Sequence, residues 1–273
     1  MKTTSAKILI ILIFGILIFS CEKKETTTTP PDIPPVESMK IDFGQLAEIK
    51  SVDISTTNWS LAAGTVGFWS SIIGTTLVVP VSAFVASFDH QPTQIDNKTW
   101  QWQYDVTRFT STYTARLVAK LQTDQVKWEM YISKIGINSF DEFLWFEGTS
   151  ALDGNSGQWI LYYSADFQDK LLQIDWQKDG ENVGQVKYTY VREQNNQNAP
   201  DMYFGSTLTY GLQNKELDAY VNVHVYSPVK TDFTDINIEW STTNFNGHIK
   251  SDLYYNDTDW HCWDISGNDI DCF

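Results

Sequence analysis

The chain has only 3 cysteines and 4 histidines in 273 residues, and its 19 lysines and arginines are outnumbered by 34 acids. A formal net charge of −15 repels a polyanion, which excludes nucleic-acid binding. Scarce histidine limits catalytic and metal chemistry. His90, His224, His248 and His261 show no spacing to a nucleophile and an acid that would single out a hydrolytic triad. A zinc set built on His248, His261 and the cysteines is short of ligands, so no metal is expected. No G-x-S-x-G, H-E-x-x-H, phosphate loop or dinucleotide fingerprint occurs, and no cofactor is expected. The Asp264 to Asp271 segment spaces its oxygens like a calcium loop, but its glycine falls at the fourth position rather than the sixth, so a plain turn is expected there.

Two stretches lack charge. Lys2 and Lys7 precede the uncharged run Ile8 to Phe19, which ends on Ser20-Cys21. A run of about 12 residues is too short for a permanent helix across a bilayer, which takes about 20, and the layout is that of a signal peptide over residues 1–20. Ile18-Phe19-Ser20-Cys21 resembles the lipobox of bacterial lipoproteins, which implies cleavage before Cys21 and lipid on that cysteine. The resemblance covers these first 21 residues alone. Residues 22–37, EKKETTTTPPDIPPVE, hold four prolines and no periodic apolar residue, so residues 21–37 are expected to form a lipidated, disordered tether. The Glu22-Lys23-Lys24-Glu25 run is similar to the charged export tags of some Gram-negative surface lipoproteins. The resemblance thus implies a membrane partner through the lipid, and an outer-membrane lipoprotein facing the periplasm or the surface.

Residues 38–273 are expected to form a single mainly-β domain. Trp100, Trp102, Tyr104 and Val106 alternate with Gln101, Gln103 and Asp105, the period of a half-buried strand. The alternation returns in Tyr113 to Leu121, Val126 to Ile132, Leu172 to Trp176, Val186 to Tyr190, Leu217 to Val225, Ile236 to Trp240 and Ile249 to Tyr255, with turns such as Thr123-Asp124, Asp179-Gly180 and Asn246-Gly247 between them. About ten successive strands with short connections read as an antiparallel meander, forming a curved sheet or an up-and-down barrel-like domain. Outside the cytoplasm, Cys262 and Cys272, ten residues apart around a strong turn, are expected to pair as a C-terminal staple.

The second uncharged stretch, residues 59–88, interrupts this pattern. Gly, Ser and Thr are scattered through it and Pro80 sits within it, so a break at Gly74 to Pro80 should give two short helices. The preferred reading is a buried hairpin, against a membrane-dipping segment or a true span, with Phe68, Trp69, Ile72 and Ile73 in the core. Ala63, Gly67, Ser71 and Gly74 form a small-residue stripe for close approach. Small inward residues on the strands (Ala115, Ala119, Ser206, Ala219, Gly247, Ser251) leave room for that insert on the concave face. A sheet half-closed around helices with an apolar interior is similar in architecture to the periplasmic carriers of lipoproteins, without motif residues to support more than that.

Two functions follow. One is a surface-anchored, non-enzymatic lipoprotein with a binding or structural role, its sheet and insert either holding a hydrophobic ligand or simply forming a core. The other is a carbohydrate-binding or glycan-cleaving protein that uses exposed tryptophans beside carboxylates. The 11 tryptophans and 13 tyrosines serve either. Trp145, Trp159, Trp260 and Trp263, which lie near turns, are the candidate exposed aromatics. Glu147 is the candidate acid, because Phe143 to Phe146 is apolar on both faces and simple alternation does not account for it. Glu129, Asp175 and Glu239 are accounted for as outward neighbours of inward aromatics.

Overall fold

The computed structural model describes residues 29–40 and 57–272. The expected signal peptide, residues 1–20, and the expected lipid site Cys21 lie outside the described residues. A bent pair of helices precedes the strands: α1 (Asn58–Thr76) and α2 (Val78–Ala86), meeting at a bend of 64° at Leu77. Fourteen strands follow: β1 (Thr93–Asp96), β2 (Thr99–Arg108), β3 (Ser111–Leu121), β4 (Gln125–Ile135), β5 (Phe140–Ala151), β6 (Ser156–Tyr162) and β7 (Lys170–Asp179) in the first half. The second half comprises β8 (Asn182–Tyr190), β9 (Thr207–Leu212), β10 (Ala219–Ser227), β11 (Asp232–Trp240), β12 (Gly247–Lys250), β13 (His261–Trp263) and β14 (Asp269–Ile270), with a single-turn helix α3 (Asp252–Tyr255) after β12.

Each strand pairs antiparallel with its neighbours in sequence, from β1 through to β14 in one open sheet. The protein is mainly β, as the alternation predicts, and the inward residues of the long strands are those that period two assigns; the expected strand Ile249 to Tyr255 instead ends at Lys250, and Asp252–Tyr255 turn into a short helix with Leu253 and Tyr255 only half-buried. Trp100, Trp102, Tyr104 and Val106 of β2 are buried, as are Val126, Trp128, Met130 and Ile132 of β4. The outer edges are blunted. β1 is four residues long and irregular in register, and β14 is a two-residue strand beside the Cys262–Cys272 disulfide, so neither offers a long template for edge pairing.

The insert breaks near its expected place, at Leu77. Thr57 caps α1 by accepting a hydrogen bond from the Ser60 N–H, and Pro80 falls in the first turn of α2, where its missing N–H costs nothing. Among the described residues no single helix is long and apolar enough to cross a membrane; the bent pair reaches that length and composition together. Both helices instead bury a face against the sheet. Ala62, Ala63, Val66 and Ile73 of α1 and Val79, Ala83 and Phe84 of α2 join one core with residues from β2 through β13. Phe84 meets Phe146 and Trp159 edge-on at 6.1 and 5.4 Å, and the Tyr104 hydroxyl donates to the Ala83 carbonyl at 2.6 Å.

Two expectations about the N-terminal part need correction. Of the small-residue stripe only Ala63 is fully buried, while Ser71 is exposed and Gly67 and Gly74 are half-buried: the sheet receives Ala62, Val66 and Ile73 instead. The expected tether is also shorter than 21–37. Ile33 packs on the core, Pro34 is buried, and a 3-10 turn at Val36–Ser38 delivers Ser38 and Met39 into the interior. There the Trp159 indole N–H donates to Ser38 Oγ at 3.1 Å and the Tyr188 hydroxyl donates to the Met39 carbonyl. Proline-rich composition argued for disorder, but prolines need no N–H partner and can lie against a sheet.

Candidate functional site

The interior is not uniformly filled. Between α1 and strands β8 to β11 lies a cavity of about 680 Å³, within the range of small-molecule sites. α1 starts at the far end of the sheet, where Asn58 N–H donates to Asp269 and Trp59 lies beside Gly267. It then crosses the concave face, and Thr65 Oγ1 meets the Tyr254 hydroxyl at 3.1 Å. Beyond this point its apolar residues line the cavity opposite Leu172, Tyr188, Leu208, Val225 and Ile236.

Phe68 and Ile72 were expected in the core; they line the cavity instead and stay 60% and 40% exposed. Helical spacing places them on α1 beside Trp69 and Ile73, which are more deeply packed, but the sheet curves away and nothing in the described residues covers them. With Tyr203 and Tyr254, also exposed, they mark the mouth. Among the described residues the walls carry no Lys, Arg, His, Asp or Glu. The polar side chains of the lining are hydroxyls of serine, threonine and tyrosine, and several are engaged, Thr65 with Tyr254 and Tyr188 with the Met39 carbonyl. The Tyr190 hydroxyl donates to Asp201 Oδ2 at 2.8 Å, and burial together with that carboxylate pushes its pKa up to about 12, so it remains a neutral donor. Ser206 differs: it is buried, lines the cavity, and its Oγ has no hydrogen-bond partner.

The aromatic residues picked from the sequence are distributed elsewhere. Trp159 and Trp263, expected to be exposed, are fully buried. Both are inward residues of strands whose register partners are glycines: Trp159 lies opposite Gly148 and Trp263 opposite Gly247. A Cβ at either glycine would collide with the indole, so the glycine makes the space into which the ring folds. Trp145 is half-buried against Tyr113, Phe140 and Phe143. It is the extra residue of a β-bulge between Leu144 and Phe146, which explains why Phe143 to Phe146 is apolar on both faces. Trp260 stacks on His248 at 3.8 Å between ring centroids, and His248 Nε2 lies 3.3 Å from Glu239; burial lowers the His248 pKa and Glu239 opposes that shift.

Glu147 sits across the β4–β5 ladder from Glu129, on the outer face. Lys127 Nζ lies 2.8 Å from Glu129 and 3.7 Å from Glu147, and the Tyr162 hydroxyl donates to Glu147 at 2.8 Å. Glu129 raises the Lys127 pKa, and burial with Glu147 pushes Tyr162 up to about 12. Two carboxylates sharing one ammonium hold strands β4 to β6 together on the convex side, remote from the indoles on the concave side. The structure therefore does not bring Glu147 to Trp159 or Trp263. Among the described residues no three His, Cys, Asp or Glu side chains converge on a metal position, and Asp264 serves the β13–β14 turn by accepting from the N–H groups of Ser266 and Asn268.

No known protein family, characterised protein or solved structure matches this chain. The site is therefore read from its own geometry. Sequence reasoning missed the cavity itself, although one signal was legible: Ser206 and Ser251 are small, polar and inward on strands whose other inward residues are apolar, and both keep an unpartnered buried hydroxyl.

Proposed function

We propose that this is a surface-anchored, non-enzymatic lipoprotein that holds an apolar ligand between α1 and the concave face of its sheet. The cavity carries this reading: about 680 Å³ of space with apolar walls and no charged side chain in the lining. Burying an aliphatic or ring ligand there is favoured by roughly 25 cal/mol per Å² of apolar surface removed from water, with no ionised group to desolvate. Titrating residues 22–273, which retain every described element, with N-phenylnaphthylamine tests it. Saturable binding of one dye per chain is expected, and a linear, unsaturable response would defeat the reading.

Anchoring is proposed from the lipobox-like Ile18 to Cys21. In cells the full chain should incorporate labelled palmitate and Cys21→Ala should not, with its β-sheet spectrum intact; equal labelling of the two, or none in the parent, would overturn this. The glycan reading asks for exposed tryptophans beside Glu147, and the burial of Trp159 and Trp263 removes its support.

A further inference from the structure

Ser206 identifies the class of ligand. The residue is 5% exposed and stands just before β9 on the same face as Leu208, so alternation turns its side chain toward the cavity that both residues line. Its backbone is fixed on both sides: its N–H donates to the Tyr203 carbonyl and its carbonyl accepts from the Tyr190 N–H, each at 2.9 Å. A buried hydroxyl held in place without a partner is destabilising, and few persist in native proteins. Among the described residues no Lys, Arg or His lines the wall: Arg192, the cation beside Tyr190, is turned to Asp169 and Asn196 and lies over the Tyr163 ring, while the carboxylate of Asp201 accepts from Tyr190 and the chain is strongly acidic. An anionic head group would meet a carboxylate and no cation free of a partner.

We propose that the cavity takes an uncharged amphiphile, a hydrocarbon chain or ring system ending in a hydroxyl, carbonyl or ester that hydrogen-bonds to Ser206 Oγ. This rests on the cavity being a ligand site. The experiment displaces N-phenylnaphthylamine from residues 22–273 with dodecanol and with dodecanoate, whose chains match. Dodecanol should compete about tenfold better, and Ser206→Ala should weaken dodecanol by about tenfold more than it weakens the dye, the range expected for one buried hydrogen bond. The ligand-free Ser206→Ala chain should be at least as resistant to urea as the parent, since an unpaired polar group is removed. Equal or better displacement by dodecanoate, or a dodecanol affinity indifferent to Ser206→Ala, overturns the proposal even where the dye binds. Absence of dye binding overturns the ligand-site reading and the proposal with it.

The loops carry a second inference on different grounds. In an antiparallel meander, alternate turns share one edge of the sheet. The turns β2–β3, β4–β5, β6–β7, β8–β9 and β10–β11 share the edge at the cavity mouth, and every one exposes an apolar side chain: Phe109, Ile137, Phe167, Phe204 and Val229. Ile137 and Val229 are each 87% exposed and Phe109 is 82% exposed. Acids lie at both edges, with Asp166, Asp169, Glu193, Asp201 and the Asp257 and Asp259 of the β12–β13 connection at this one, but the opposite turns expose fewer apolar residues, among them Leu152, Phe245 and Ile265.

We infer that the apolar edge meets the lipid bilayer that holds the anchor. Between Cys21 and Ile33, where the chain first packs on the core, about 12 residues span at most about 40 Å, so a lipidated chain keeps its domain beside that surface. Apolar tips on five adjacent loops fit a shallow insertion into the headgroup and acyl boundary, and the cavity mouth then faces the hydrocarbon. Residues 22–273, without lipid, are floated with vesicles of phosphatidylethanolamine and phosphatidylglycerol. The parent should partition to the vesicles, and the combined Phe109→Asp, Ile137→Asp, Val229→Asp variant should lose about tenfold or more of that binding. The combined Leu152→Asp, Ile265→Asp control should lose only what its added charge costs. No partition of the parent, or equal loss from both variants, overturns the inference, while palmitate labelling of Cys21 judges the anchor separately.

Discussion

Strands β2 to β6 and strands β8 to β11 follow the same alternation of inward and outward residues, yet the first set closes on a packed interior and the second on a cavity. The inward side chains of the first set include Trp100, Trp102, Tyr104, Trp128, Phe146 and Trp159, and α2 fills what they leave with Phe84. The second set points mostly aliphatic side chains inward, Val186, Leu208, Val221, Val223, Ile236 and Ile238 beside Tyr188 and Trp240, and it faces α1, whose buried residues are Asn58, Ala62, Ala63, Thr65, Val66 and Ile73. Small helix residues against aliphatic strands leave a volume that indoles would have filled. Identical backbone patterning therefore produces a structural half and a receptive half, and the difference lies in side-chain volume.

Mutations that exchange the character of the two halves test this, and the largest effect should come from the filled half. Trp159→Ala removes a fully buried indole from between Gly148, Phe84 and Ser38, and should cost about 3 to 5 kcal/mol in urea unfolding. A loss below about 1 kcal/mol would mean that this half is as loose as the other. Next comes the staple. Cys262 and Cys272 close a loop of ten residues beside the β13–β14 turn, and replacing both with alanine should cost about 2 to 3 kcal/mol, read as a fall in melting temperature that reductant reproduces in the parent.

Overfilling sharpens the contrast. Ala119→Phe in the filled half should cost about 1 to 3 kcal/mol, whereas Leu208→Phe, which projects into the cavity, should cost less than about 1 kcal/mol and abolish dye binding. Similar costs at both positions would contradict the assignment. Phe68→Ala should be smaller still, within about 0.5 kcal/mol, because its ring is 60% exposed, while dye affinity falls.

The smallest effect belongs to alkaline pH at the cavity rim. Tyr190 titrates at about 12 in the folded chain against an ordinary value of 10.0, so the folded state favours the neutral phenol. That contribution is complete below pH 10 and is lost as the pH rises toward 12. The parent should thus lose stability over that window more steeply than Tyr190→Phe, and parallel curves would remove the tyrosine from the account.

Much of the fold was legible because a strand's period leaves a mark in sequence wherever one face is buried. Trp100 to Val106 and Val126 to Ile132 announced both their strands and their inward faces. The disulfide followed from two cysteines flanking a turn. The site was far less legible. Nearness to turns suggested that Trp159 and Trp263 were exposed, but exposure depends on the residue across the ladder, and only the register shows Gly148 and Gly247 opposite them. Trp145 misled for a related reason: a bulge shifts its face, and nothing in a single strand's sequence reports how its partner is paired.

The amino-acid sequence by itself determined the antiparallel meander, the inward face of nearly every strand and the break in the apolar insert, because these depend on local periodicity and on proline's missing N–H. Tertiary structure alone decided where volume is left over. Whether Phe68 and Ile72 pack or line a cavity, whether Pro34 belongs to a tether or a core, and whether Ser206 Oγ finds a partner all depend on how far a sheet of fourteen strands curves around two helices. That curvature sums many small twists and side-chain volumes from distant strands, and no segment of the chain encodes it alone.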